Sequence, residues 1–311
     1  MEKIAIIGAG LIGRAWAMVF ARAGHGVKLW DNDAEAVPRA LRQIEEGVRE
    51  LREFGLITED PKAVSARVTG VATLAEALKD ADYVQENTAE RTDVKQHVYA
   101  QMDAVAPVDC ILASSTSTIP TSVSSQGVKG KQRCIVAHPV NPPHVVPVVE
   151  LSPAPWTSPD VVKRTFALHE KVGQVPIIVK REVQGFILNR LQAALLHEAW
   201  RLVKEDYVTV GDLDKCLKDG LGLRWSFMGP FETIDLNAPG GVPDYAQRYG
   251  PVLYEMMKDL ELEPWDDALI ARITAERRKV VPQEQHAERE AWRDRRLMAL
   301  IAHKRHMASK E

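Results

Sequence analysis

Two sets of residues have types and spacings that could do chemistry. The first is Gly8-Ala9-Gly10-Leu11-Ile12-Gly13. It follows Ile4-Ala5-Ile6-Ile7, a β-branched run that reads as a strand buried on both faces. Apolar residues at Leu11, Ala15, Met18 and Val19 then predict a helix ending near Gly24. Val27-Lys28-Leu29-Trp30 reads as a second strand, closed by Asp31. In this context Gly8 permits a tight turn, Gly10 lets backbone approach a pyrophosphate, and Gly13 lets helix and strand pack closely. Leu11 and Ile12 open a helix whose free N–H groups favour phosphate. Asp31 can accept hydrogen bonds from both adenosine ribose hydroxyls and would repel a 2′-phosphate, which favours NAD over NADP. FAD competes on these residues alone.

The second set is Ser117, His138 and Glu150, each at or near a predicted strand end. His138 suits a proton acceptor, because an unperturbed imidazole titrates near neutrality. Glu150 follows twelve positions later, after a turn and most of a strand. That spacing can fold its carboxylate back beside His138, fixing the tautomer and stabilising the imidazolium. Spacing alone equally allows a buried His and Glu satisfied locally. A Ser-His-Glu hydrolase is the rival chemistry, but Ser117 lies in no G-x-S-x-G elbow, and a hydrolase has no use for a dinucleotide site. No His/Glu cluster has metal-ligand spacing, so no catalytic metal is expected.

The remaining pattern says what must position these residues. Helices are predicted over Ala34–Phe54, Thr73–Lys79, Asp93–Val105 and Asp160–Val172. Strands are predicted over Val68–Val71, Asp82–Glu86, Ile111–Ser114, Cys134–Ala137, Val146–Leu151 and Val175–Val179. The alternation predicts an α/β fold: a Rossmann-type doubly wound sheet over 1–182. No convincing strand follows. Gly185–Val203 reads as one long helix, and Thr209 as the cap of another. Residues 183–311 are therefore expected to form an all-helical domain.

These motifs resemble the 3-hydroxyacyl-CoA dehydrogenase superfamily. The likeness runs through Gly8–Gly13, Glu90 with Lys95, Ser115-Thr116-Ser117, His138-Pro139-Val140-Asn141-Pro142, Glu150 and Gly185-Phe186-Ile187-Leu188-Asn189-Arg190. Glu198-Ala199-Trp200-Arg201-Leu202-Val203 and Gly220-Leu221-Gly222-Leu223-Arg224 are most similar to its λ-crystallin/L-gulonate 3-dehydrogenase branch. The resemblance implies that His138 takes a proton from the substrate hydroxyl and that Glu150 orients it. It implies that Ser117 and Asn189 hydrogen-bond the reacting oxygen, and that Glu90, Lys95 and Asn141 contact NAD. It also implies a homodimer built through the helical domain.

Within such a family the substrate could be a thioester or a free acid. The acyl-CoA enzymes carry a Lys-rich stretch after the second strand. Here Glu50, Glu53, Glu59 and Asp60 surround a single Lys62, which reads as a poor place for a polyphosphate. Arg224 offers a bidentate fork for a carboxylate, which a free hydroxy acid has and a thioester lacks. The expectation is NAD-dependent oxidation of a free 3-hydroxy acid, L-gulonate by resemblance. A carnitine-type or acyl-CoA substrate is the alternative, as is a structural or NAD-sensing protein. Trp200, Trp225 and Phe227 keep an aromatic recess for a quaternary ammonium open, though core or dimer packing is the simpler use.

Composition narrows the classes. Of 311 residues, 40 are Lys or Arg and 43 Asp or Glu, a net charge of −3 that is wrong for a dedicated nucleic-acid binder. No apolar run is long enough to span a membrane. Cys110, Cys134 and Cys216 are odd in number and far apart, which argues against a disulfide scaffold. The N-terminus leads at once into the first strand, so a cytoplasmic protein is expected. Arg272–Glu311 carries eleven basic and six acidic residues in interleaved order, the pattern of a solvated helix.

Overall fold

The structure is a computed structural model and describes residues 1–260 and 262–310. Strand β1 (Lys3–Ile7) leads through the glycine turn into α1 (Leu11–Arg22), and β2 (Gly26–Trp30) into α2 (Ala36–Glu53) and α3 (Pro61–Ser65). Then come β3 (Val68–Gly70), α4 (Leu74–Leu78), β4 (Tyr83–Glu86), α5 (Thr92–Val105), β5 (Ile111–Ser114) and α6 (Thr121–Ser124). Strands β6 (Cys134–Pro139) and β7 (Val148–Pro153), helix α7 (Pro159–Lys171) and β8 (Val175–Ile178) complete one sheet of order β3-β2-β1-β4-β5-β6-β7-β8. The doubly wound sheet is the one expected. Among the described residues only the β6–β7 pair is antiparallel, and its register sets His138 directly opposite Glu150.

The sheet's core lies on both faces. Trp16, Phe20, Ile44 and Leu51 of α1 and α2 cover one side; Tyr99 and Met102 of α5 cover the other. Cys110 and Cys134 are buried here, and burial pushes both thiols up to about 12, so neither is a nucleophile near neutrality.

Helix α8 (Leu188–Lys204) begins three residues later than the apolar period suggests. Gly185 and Phe186 adopt left-handed backbone, with φ of 75° and 52°, which no α-helix can contain. The helical region then continues with α9 (Val210–Lys215), a π turn, α10 (Gly222–Trp225), α11 (Pro230–Leu236), α12 (Gly241–Met256), α13 (Asp267–Val280) and α14 (His286–Ala308). Thr209 caps α9 by accepting the Asp212 N–H, as its spacing predicts. Val203, Val210 and Leu269 form a small core of their own.

The compact units do not divide at 182/183. One holds Met1–Arg190 together with the chain from Trp292 onward, and the other holds Leu191–Ala291. Helix α14 is the reason. Met298 is buried in the core of the sheet unit, with Leu297, Ile301 and Ala302 packed beside it. The expected solvated C-terminal helix is therefore structural on one face. Glu311, the last residue of the expected helical domain, lies outside the described residues.

Candidate active site

The glycine turn carries the geometry its sequence requires. Gly8 has φ of 95°, and a Cβ there would meet the Asn87 carbonyl oxygen at 2.7 Å. A Cβ on Gly13 would stand 1.8 Å from the Gly8 oxygen. A Cβ on Gly10 would meet nothing within 4 Å, so the space over Gly10 is open to a ligand. Gly10 caps α1 without any side-chain hydrogen bond, which leaves the N–H groups of the first turn free. Asp31 steadies the turn by accepting the Ala9 N–H at 2.7 Å through Oδ2. Beside it opens a cavity of about 630 Å³ lined by Val37, Leu41 and Val71. That is an acidic ribose acceptor next to an apolar slot for an adenine, so these residues fit a dinucleotide. The sequence singled out Asp31 but not the slot, whose walls come from α2 and the turn after β3.

His138 and Glu150 meet as expected. His138 Nδ1 lies 2.7 Å from Glu150 Oε2. The other carboxylate oxygen accepts the N–H groups of Ile187 at 2.8 Å and Leu188 at 3.0 Å, at the start of α8. Burial by itself would raise the Glu150 carboxyl. The hydrogen bonds from His138 and from the Leu188 and Ile187 amides outweigh it and hold the group below the usual carboxylate range. With its Nδ1–H given to Glu150, His138 presents Nε2 as a base. The buried Phe186 ring packs on the imidazole at 5.4 Å between centroids.

Ser117 lies just past β5, and Asn189 Nδ2 donates to the Ser117 carbonyl oxygen at 2.9 Å. Glu90 Oε1 gathers the same loop, accepting from Thr116 Oγ1 at 2.7 Å and from the Ser117 and Thr118 N–H groups at 2.9 Å. Burial raises the Glu90 carboxyl, and these hydrogen bonds with the Lys95 charge more than reverse it. Lys95 is itself buried. It sits 3.0 Å from Glu86 Oε2 and 3.5 Å from Glu90 Oε2, so its ion pair is an internal brace. In this structure Glu90 and Lys95 hold the loop that frames the site. Asn141 is exposed in the loop between β6 and β7.

Sequence reasoning missed the layer beneath. Ser115 Oγ accepts from Trp16 Nε1 at 3.0 Å and Gln85 Nε2 at 2.7 Å, and donates to Asn87 Oδ1 at 2.7 Å. Gln85 Nε2 also reaches the Ala137 carbonyl at 3.2 Å, and its Oε1 accepts from Tyr83. Since the Tyr83 proton goes to Gln85, His169 Nε2–H must donate to Tyr83, 3.0 Å away. This chain ties α1, the Ser115 loop and the His138 strand together.

Arg224 belongs to the other unit, in α10, and its Nε is buried without a partner. No group of three or more His, Cys, Asp or Glu suited to a metal occurs among the described residues. No helix among them is long and apolar enough to cross a membrane.

The comparisons with known proteins agree with this geometry. Residues 3–183 match the model for the 3-hydroxyacyl-CoA dehydrogenase NAD binding domain, and 185–272 the model for its C-terminal domain. The chain belongs to the 3-hydroxyacyl-CoA dehydrogenase family. The lambda-crystallin homolog of Mus musculus is 40% identical over 99% of this chain and 98% of its own length. An L-carnitine dehydrogenase of Streptomyces griseus is 34% identical over 97% of this chain and 89% of its own. Among solved structures, 5-formyl-3-hydroxy-2-methylpyridine 4-carboxylic acid 5-dehydrogenase, an NAD+-dependent dismutase, superposes with a TM-score of 0.84 at 28% identity, covering 96% of this chain and 97% of that one. The protein is thus an NAD-dependent oxidoreductase of this family, and NAD, not FAD, is the dinucleotide its turn accepts.

One sequence expectation is altered in part. The stretch around Glu59 and Asp60 is not a field of free acids. Arg67 takes Glu59 with two hydrogen bonds, and Asp60 is spent capping α3 through the Lys62 N–H. Glu59 is thereby neutralised, while Asp60 keeps its charge in the cap.

Proposed function

We propose that the protein oxidises the 3-hydroxyl of a free hydroxy acid, with L-gulonate to 3-dehydro-L-gulonate as the leading reaction. The observation that carries the dehydrogenase chemistry is the His138–Glu150 pair, in which His138 Nε2 is left as a base at the strand end. NAD supplies the hydride acceptor. His138 Nε2 takes the proton of the substrate hydroxyl as the C3–H bond gives up its hydride, and Glu150 balances the imidazolium charge. Ser117 and Asn189 hold the reacting oxygen.

The free-acid reading is supported by the 40% identity to a lambda-crystallin homolog and by the carboxylic acid named for the structural relative. Arg224, with a guanidinium nitrogen lacking any protein partner, is proposed as the carboxylate holder. The similarity to L-carnitine dehydrogenases favours a second reading, since carnitine is also a 3-hydroxy acid. An aromatic recess built on Trp200 is less favoured, because Trp265 stacks on its face at 4.2 Å.

The test is NADH formation with L-gulonate, L-3-hydroxybutyrate, L-carnitine and 3-hydroxybutyryl-CoA, each with NAD and with NADP. L-Gulonate is expected to give the highest kcat/KM, with NAD. Arg224→Ala is expected to raise KM for the acid about tenfold or more, with little change in NAD affinity. Highest activity on the thioester, or an unchanged KM in Arg224→Ala, would refute the free-acid reading. Tight NAD binding with no turnover would point to a sensor or structural protein.

A further inference from the structure

A cavity of about 380 Å³ opens in the sheet unit between the end of α1, the α2–α3 connection and the α7–β8 turn. Its wall includes Arg22, Ile57, Glu59, Lys171 and Gly173. Helix rise places Arg22 roughly 16 Å along α1 from the turn that cradles NAD phosphates. Charge converges on this cavity. Arg52 donates to the Ile57 carbonyl, Arg305 of α14 to the Leu56 carbonyl, and Arg67 to the Ala21 carbonyl. With Arg22 and Lys171 that makes five cations. The one carboxylate on the wall, Glu59, is already held by Arg67.

Arg22 has the most to gain from a ligand. Of its five N–H groups, one is used, in a 2.6 Å hydrogen bond from Nη1 to the His144 carbonyl, and no carboxylate faces it among the described residues. Burial, with the charge of Arg305 added, pushes its pKa down to about 10. Lys171 likewise has no ion-pair partner among the described residues. A structural arginine at a helix end would satisfy the α1 carbonyl dipole. Arg67 already does this through the Ala21 carbonyl and is balanced by Glu59, which leaves Arg22 and Lys171 without a counter-charge and Arg52 and Arg305 held only by backbone carbonyls, in a chain whose net charge is −3.

We propose that this cavity is an anion site, distinct from the NAD crevice, that takes a phosphate group, either as the free ion or as the monoester end of a small metabolite. The guanidinium of Arg22 and the ammonium of Lys171 contact the oxygens, and Arg52 and Arg305 supply the surrounding positive potential. The cavity is larger than a phosphate ion, which leaves room for an attached polyol. Its occupant touches the catalytic unit through Arg22 and His144, which lies in the loop joining the His138 strand to the Glu150 strand. The assignment does not depend on which hydroxy acid is oxidised.

The test uses the full-length protein saturated with NAD, so that phosphate cannot report on the glycine turn. Melting temperature is followed against inorganic phosphate and against glycerol 3-phosphate, with chloride at matched ionic strength as the control. A saturable rise with phosphate but not with chloride is expected. Lys171→Ala and Arg22→Gln should each weaken the apparent affinity about tenfold. Arg305→Gln, on an exposed side chain, serves if Arg22→Gln does not fold. Tighter binding of glycerol 3-phosphate assigns the site to a phosphomonoester, and tighter binding of inorganic phosphate to the free ion. No saturable rise, or the same affinity in Lys171→Ala and the arginine variant, overturns the proposal.

Discussion

His138 and Glu150 act as one unit. The carboxylate satisfies the imidazole with one oxygen and the start of α8 with the other. Glu150→Gln keeps the shape and removes the charge that balances the imidazolium. A fall in kcat of roughly 10²–10⁴-fold is expected, with little change in NAD affinity. The same substitution should alter stability against pH. A carboxyl whose pKa is depressed by folding adds stability above its unfolded pKa and loses it as pH falls through the folded value. Wild-type melting temperature should therefore drop more steeply than that of Glu150→Gln on acidification below the ordinary carboxylate range; parallel curves would contradict this. The pair was legible in the sequence because twelve residues with a turn can return one strand end to another. Gln85, Glu86 and Asn87 were not, because their roles arise from neighbours on α1, α5, β5 and β6 that no local spacing announces.

Strands and helices determine what each glycine of the turn can tolerate. Gly13 packs against the Gly8 carbonyl, so Gly13→Ala must push α1 away from β1 and is expected to lower both melting temperature and NAD affinity. Gly10→Ala meets no protein atom within 4 Å, so the fold should keep its melting temperature within a few degrees. Its methyl group would instead occupy the space where the pyrophosphate approaches, and the Kd for NAD should rise about tenfold or more. Calorimetric titration with NAD beside a thermal melt separates the two. Equal NAD affinity in Gly10→Ala and wild type would place the dinucleotide elsewhere. Element boundaries were legible wherever local chemistry sets them, as at Thr209. The start of α8 was not, because it is set by the Glu150 carboxylate across the sheet and by left-handed Gly185 and Phe186.

At the scale of the molecule, the sequence reading of a sheet followed by helices left out the return of α14. Its alternating charges advertise solvent, and they conceal the narrow stripe of Leu297, Met298, Ile301 and Ala302 that enters the sheet unit's core. The region 191–291 has the opposite character. Among the described residues, twenty of the thirty exposed large apolar side chains lie there, although it is about a third of the chain. Phe227 is 71% exposed, Phe231 78% and Leu236 68%. Large apolar side chains concentrated in this way mark association surfaces. The occupant we propose is a second copy of this chain, meeting through α10–α12, in line with the dimer the family resemblance implies. Sedimentation velocity should give a species of twice the 34.6 kDa chain mass. Phe231→Glu should shift it toward the single-chain mass while NAD binding, which belongs to the sheet unit, persists. A wild-type chain that sediments at 34.6 kDa at micromolar concentration, or a Phe231→Glu chain that stays at twice that mass, would count against this face as the interface.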